Sequence, residues 1–222
     1  MMTRKLVVDW RPILLESFFV VLGVVVALAA NEVRQAVVQR REAATALASI
    51  REELATNRRA VLESASYHIR LNDTLFTYVR SAPGGASAPA RVPDVRVFER
   101  GFINPAQLLS TAWNAASATE AVHHMQYADV LLLARIYEEQ RDYQRQSEQV
   151  GSIIYGGIFN QGMGGVLRNY SNLSSIISSF WYRECQLLRS YDEVLPRLRA
   201  EGAATGDPPP PAPERCRRIP RR

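Results

Sequence analysis

The chain passes through three hydrophobic rhythms. Residues 12–30 are apolar almost without interruption, and most of them fall in the stretch ESFFVVLGVVVALAANEVRQ at 16–35. From about residue 47 the apolar positions recur at sevens. Leu47, Leu54, Val61, His68 and Leu75 form one line, and Ile50, Asn57, Ser64, Leu71 and Tyr78 form its companion. That is the period of a long helix with one packing stripe. Asn57, Ser64 and His68 make the stripe impure, which favours packing against the protein's own later helices over a dimeric coiled coil. Beyond residue 104 the spacing is that of ordinary amphipathic helices. One is predicted from Pro105 to about Ser117, with Asn104 as N-cap and proline at the first position. A second runs from about Met125 to Val150, with Leu132, Ile136 and Tyr143 on one side, and a third from about Val166 to Arg199.

The first rhythm decides where the chain resides. From Trp10 to Ala30 a helix measures about 31 Å, matching a hydrocarbon core of roughly 30 Å. Pro12 suits a first helical turn, and Trp10 and Arg11 suit a membrane interface. A cleaved signal is the competing reading, with Arg4 and Lys5 ahead of the apolar run and Ala27-Leu28-Ala29 as the cleavage site. The length of the run and the unbroken passage into Asn31-Glu32 favour a retained transmembrane helix over 12–30. A buried core helix would need a larger protein to cover it. Glu16 lies one turn past Pro12, where its carboxylate reaches the headgroup region or pairs with Arg11; the functional alternative is a polar contact with a neighbouring membrane helix.

Between and after these helices the composition shifts. Ser81-Ala-Pro-Gly-Gly-Ala-Ser-Ala-Pro opens a linker spanning 81–103, with a short extended segment at Asp94–Phe98. Residues 31–80 form the long helix, 104–200 a helical domain, and the proline- and arginine-rich tail at 201–222 is expected to be disordered. The expected fold is therefore mainly α: one anchor helix continuing into a long helix that packs with about three others.

Charge changes this picture little. The net charge is +5, and Lys5 is the only lysine beside a large excess of arginine, as GC-rich coding produces. Arg and Glu alternate through the middle rather than clustering on one face, so no nucleic-acid partner is expected. The cations flanking the span nearly balance, Arg4, Lys5 and Arg11 before it against Arg34, Arg40 and Arg41 after it. The terminal amine and the compact residues 1–11 favour a cytoplasmic N-terminus and a periplasmic domain. Cys185 and Cys216 suit that oxidising compartment, either as a disulfide or as two separate thiols.

Candidate chemistry is sparse. Glu120 and His124 stand four apart, a spacing able to hold a metal, but without a third ligand nearby no metal is expected. No Ser-His-Asp constellation and no G-x-S-x-G is legible. The stretch GSIIYGGIFNQGMGG at 151–165 lacks the Gly-Lys-Ser/Thr of a phosphate loop, and Leu167 stands where a dinucleotide fingerprint needs glycine. The span holds no histidine for a porphyrin or chlorophyll, so no cofactor is expected. The glycine-rich stretch reads either as a bent connection tucked into the core or as an apolar loop that docks on a partner or dips into the membrane surface. The interface candidates are Tyr155, Ile158, Phe159, Met163, Phe180 and Trp181. Asn72-Asp-Thr and Asn169-Tyr-Ser match the glycosylation pattern by chance.

The passage FFVVLGVVVALAANEVR with its arginine-rich heptads, and the block LLSTAWNAASATEAVHHMQYADVLLLARIYEEQRDYQR, resemble an uncharacterised family of bacterial single-span membrane proteins. That family usually carries tryptophan where Val33 stands here. The resemblance implies an N-terminal anchor and an α-helical domain, and no activity. The expectation is a non-catalytic structural or accessory subunit in the bacterial inner membrane, stabilising a larger integral membrane complex, which an energy-transducing photosynthetic or respiratory assembly would exemplify. Self-association is a further expectation. A periplasmic sensor or regulator is the alternative, weakened by an N-terminal side too short for an output domain, and a membrane-tethered enzyme ranks last.

Overall fold

The computed structural model describes residues 10–81, 98, 100–198 and 209–218. Among these residues the protein is mainly helical and contains no β-strand. The first helix, α1 (Trp10–Ser81), has 72 residues and so measures about 108 Å. No glycine or proline interrupts it after Gly23, and it stops just short of the Pro83-Gly84-Gly85 breaker. Then follow α2 (Thr111–Ala118), a 3₁₀ turn (Ala121–His124), α3 (Tyr127–Gly151), α4 (Gly162–Arg168), α5 (Tyr170–Arg197) and α6 (Glu214–Arg217). A π-helical turn (Ser152–Ile158) and a 3₁₀ turn (Phe159–Gln161) join α3 to α4.

The heptad positions of α1 do what their period predicts. Ile50, Leu54, Val61, Leu71 and Leu75 are all buried, and α1 packs most extensively on α5. The two run antiparallel: Arg58 meets Asp192, His68 meets Glu184 and Asn72 meets Ser178. Along α3 the pairing is parallel, with Glu53 at Tyr137 and Asn57 at Gln140. Two apolar clusters result. One gathers Ile50, Leu54, Val61, Leu133, Ile136 and Leu188; the other gathers Leu71, Leu75, Phe102, Ile154, Leu173 and Ile177.

Among the described residues, the N-terminal part of α1 packs on nothing. Phe18, Phe19, Val21, Val25 and Leu28 are exposed, and the helix is long and apolar enough there to cross a membrane. Burial on α1 begins only at Ala43, about 20 Å beyond Ala30.

The structure departs from the sequence pattern in three places. The helix predicted from Pro105 begins instead at Thr111, and residues 103–110 run without helix or strand. The Asn-Pro helix start is a local signal, and tertiary partners override it, as described below. The helix predicted from Val166 is broken at Asn169, whose Nδ2 donates to the Gly165 carbonyl at 2.9 Å. The tail is ordered over 209–218 rather than disordered: Cys216 is joined to Cys185, Arg58 donates to the Pro210 carbonyl at 2.9 Å, and Arg215 sits 5.0 Å over the Trp181 ring and pairs with Asp73. Closing a chain segment with a sequence separation of 31 stabilises by about 3–4 kcal/mol in the chain-entropy account. The extended segment expected at Asp94–Phe98 lies almost wholly outside the described residues, as do 201–208 and 219–222.

Two glycines of α4 have distinct reasons. Gly162 adopts φ 63°, which side chains resist. Gly165 is held by space: a Cβ there would lie 2.5 Å from the Ile158 carbonyl and 2.6 Å from Gln161 Cβ. Gly165→Ala is therefore expected to destabilise the domain by about 1–3 kcal/mol, read as a lowered denaturant midpoint in detergent, whereas Gly156→Ala, with open space around it, is expected to change it little.

Candidate functional site: a buried polar seam and the surfaces around it

An extended backbone inside a helical bundle has no sheet to pair with, yet its N–H and C=O groups need partners once buried. From Gly101 to Ala112 the chain runs back along α1, antiparallel to it, and helix side chains supply those partners. Tyr67 donates to the Gly101 carbonyl. Ser64 donates to the Asn104 carbonyl at 2.8 Å, and the Asn104 N–H donates to His68 Nε2 at 3.1 Å. The Ala106 N–H donates to the Tyr143 hydroxyl at 2.9 Å, and Gln144 Nε2 donates to the Leu108 carbonyl at 3.1 Å. Asn57 pairs with Leu109 as a strand would, accepting from its N–H at 2.9 Å and donating to its carbonyl at 2.8 Å. Finally Glu53 accepts from the Ala112 N–H at 2.8 Å, so a carboxylate from α1 caps the first turn of α2.

At the centre sits Glu184, fully buried. Its carboxylate oxygens lie 3.0 Å from His68 Nδ1, and Oε1 lies 2.5 Å from Ser64 Oγ and 2.9 Å from the Tyr143 hydroxyl. A backbone N–H can only donate, so Nε2 of His68 is the acceptor and the ring proton sits on Nδ1, facing Glu184. Ser64, His68 and Glu184 thus meet, a combination that sequence spacing did not reveal because the carboxylate lies 116 residues from the histidine. They do not form a nucleophilic triad. In a triad the two imidazole nitrogens face the nucleophile and the carboxylate separately. Here both groups face Nδ1, with Ser64 at 3.4 Å, and Nε2 is committed to backbone. The chemistry of this cluster is clamping.

Three tyrosines share the seam. Burial, reinforced by the Glu53 carboxylate 2.6 Å away, raises the Tyr137 phenol far above its ordinary value. Burial and then Glu184 do the same for Tyr143, and burial followed by Glu139 and Glu53 for Tyr191.

A surface groove of about 410 Å³ lies along the outer edge of the strap, between Ile103, Pro105 and Gln107 on one side and Gln144, Glu148 and Tyr155 on the other. Pro105, on the rim of this groove, has no N–H that needs a partner.

The sequence-derived candidates scatter. Phe180 is fully buried between the His68 and Tyr143 rings, and Ile158 is buried in the second cluster, so neither is available to a partner as expected; the helix face and the π turn bring them inward. Phe159 is half-buried against Phe102, and Trp181 is half-buried under Arg215. Tyr155 is exposed, joined by Ile153. The Met163 side chain lies outside the described residues. Glu16 is exposed on α1. Cys185 and Cys216 are brought together as a disulfide. Glu120 adopts φ 59° between α2 and the 3₁₀ turn, so it shares no helix face with His124, and among the described residues no three metal-ligating side chains gather. Asn72 is buried against Ser174 and Ser178, out of reach of modification.

No family model, curated protein or solved structure matches the chain.

Two measurements probe the seam. Glu184→Ala strands the His68 and Tyr143 donors, and a loss of about 3–5 kcal/mol is expected, checked by denaturant unfolding. Alkaline pH tests the tyrosines. The unfolded chain releases phenolic protons from about pH 10, while the folded chain retains them. Stability is therefore full below about pH 10 and falls as pH rises, by up to about 4 kcal/mol per unit for three phenols. The part of the tyrosinate absorbance that belongs to these three buried phenols is expected to rise together with loss of helical circular dichroism, not before it.

Proposed function

We propose that this chain is a non-catalytic, single-pass protein of the bacterial inner membrane that serves as a structural or accessory subunit of a larger integral membrane complex. The observation that carries this reading is the exposed apolar part of α1, which continues without a break into the rod on which the bundle is built. Lipid or a neighbouring membrane helix suits that surface, because valine, leucine and phenylalanine side chains left in water would drive aggregation. Glu16 in that stretch suits a polar contact with a second membrane helix. The Cys185–Cys216 disulfide suits an oxidising compartment, hence a periplasmic bundle and a cytoplasmic N-terminus. An energy-transducing assembly, photosynthetic or respiratory, fits as host, with this chain holding no pigment.

A second reading, a periplasmic sensor or regulator, draws on the same continuity of α1, since an uninterrupted helix can carry a displacement from bundle to span. The partner decides between them. Purification of the native protein from its own membranes in mild detergent, with mass spectrometry of everything retained, is expected to return a fixed set of membrane proteins at constant stoichiometry and an uncut N-terminus. A lone protein or homodimer refutes the subunit reading and favours the sensor. A mature N-terminus near Ala30 refutes the anchor, and labelling of the protein only from the cytoplasmic side refutes the orientation.

A further inference from the structure

Residues 209–218 lie across the seam between α1 and α5 in an unusual balance of forces. Cys216 is the one buried residue of the segment; Ala212 and Pro213 are half-buried and the rest are exposed. The non-covalent hold is polar: the buried Arg58 donates through Nη2 to the Pro210 carbonyl, and at the rim Arg189 reaches the Cys216 carbonyl at 3.4 Å while Arg215 pairs with Asp73 and lies over Trp181. The rim contacts are individually weak in water. The four-residue α6 is far too short to persist alone. The two apolar clusters, by contrast, are built from α1, the strap, α2, α3, the π turn, α4 and α5, and of the described tail residues include only Cys216, with Ala212 at the edge.

What lies beneath is not a satisfied surface. Arg58 is 3% exposed, and among the described residues neither its Nη1 nor the buried Trp181 Nε1 has a hydrogen-bond partner. Donors therefore exceed acceptors under the tail, which leaves the seam chemically suited to carbonyl or carboxylate groups beyond those the tail provides.

We propose that the Cys185–Cys216 bond is a redox latch, whose reduction frees residues 209–218 and opens the Arg58–Trp181 seam while the helical bundle stays folded. The reductant is a dithiol. One of its thiolates attacks Cys216 Sγ as α6 frays, forming a mixed disulfide, and Cys185 leaves as a thiolate that takes up a proton. The second thiol of the reductant then displaces Cys216 Sγ, which is protonated in turn. Two electrons and two protons pass to the protein, and the dithiol becomes a disulfide. The inference does not depend on the subunit reading.

Hydrogen–deuterium exchange on the full-length protein in detergent tests it, with dithiothreitol as reductant and thiol labelling to count free cysteines. Reduction under native conditions is expected to release both thiols and to speed exchange in peptides covering 214–217 by about tenfold or more, with peptides from α3 and α5 unchanged. Cys216→Ser, without reductant, is expected to reproduce the same pattern, and Cys185→Ser serves if that variant fails to accumulate. Three outcomes overturn the proposal: no thiols released until the protein is denatured, thiols released with the tail still protected, or protection lost from α3 and α5 as well. The last would make the bond a staple of the whole fold.

Discussion

Buried backbone that belongs to neither helix nor sheet must still find partners for its N–H and C=O groups, and the strap from Gly101 to Ala112 finds them on helix side chains. The rest of the domain follows from that constraint. Asn57, Ser64 and His68 occupy seam positions of α1 where leucine would pack better, and each is spent on strap backbone. Tyr143 and Gln144 do the same from α3, and Glu184 of α5 ties Ser64, His68 and Tyr143 together. The seam also sets register. A helix sliding by one turn would strand several donors and acceptors at once, each costing roughly 1–3 kcal/mol when left unpaired in the interior, whereas apolar side chains tolerate such slips far better.

The same seam separates the two apolar clusters. The larger lies toward the exposed end of α1, the smaller beyond Tyr67, closed by Phe102 and the π turn. That layering places the glycine-rich connection. Its buried members Ile154 and Ile158 pack with Leu71 and Leu75, and Tyr67 stands about 55 Å along α1 from Ala30. If the apolar part of α1 lies in a bilayer, the exposed Ile153 and Tyr155 cannot reach that same membrane, which removes the membrane-dipping reading of this loop. Of its glycines, Gly165 serves a tight crossing of backbone and Gly162 a positive φ.

How much of this was legible in the sequence depends on range. Helix α1, its seven-residue stripe and its packing on later helices could be read because the signal is local and repeated many times. Helix α3 was also close, its predicted limits falling within two residues of Tyr127 and Gly151. The strap was not legible. Asn104-Pro105 is a good helix start, and Leu108, Leu109, Ala112 and Trp113 keep helical spacing, but proline's missing N–H suits extended chain equally well. What decided between them were Ser64 and His68, 40 and 36 residues away, whose polarity had registered only as an impurity in the stripe. The buried Phe180 was misjudged for the mirror reason: in an apolar-aromatic block every side chain looks alike until the helix is oriented, and rotation about α5 sent Phe180 inward and left Trp181 at the rim.

The rod geometry of α1 bears on any partner. Burial on α1 starts about 20 Å from Ala30, and Leu75 lies about 68 Å from it. A partner that meets both the apolar stretch and the bundle must itself rise that far, so a membrane protein with only short loops could touch the span and the bare section of α1 but not the bundle. On that bare section Val33, Val37 and Val38 remain exposed beside Arg34, Arg40 and Arg41. A helix that ended its apolar content at Ala30 would need only charge there to stay soluble. Interspersed among the valines, the arginines can lay their apolar stems along those neighbours while their guanidinium groups reach out of the surface.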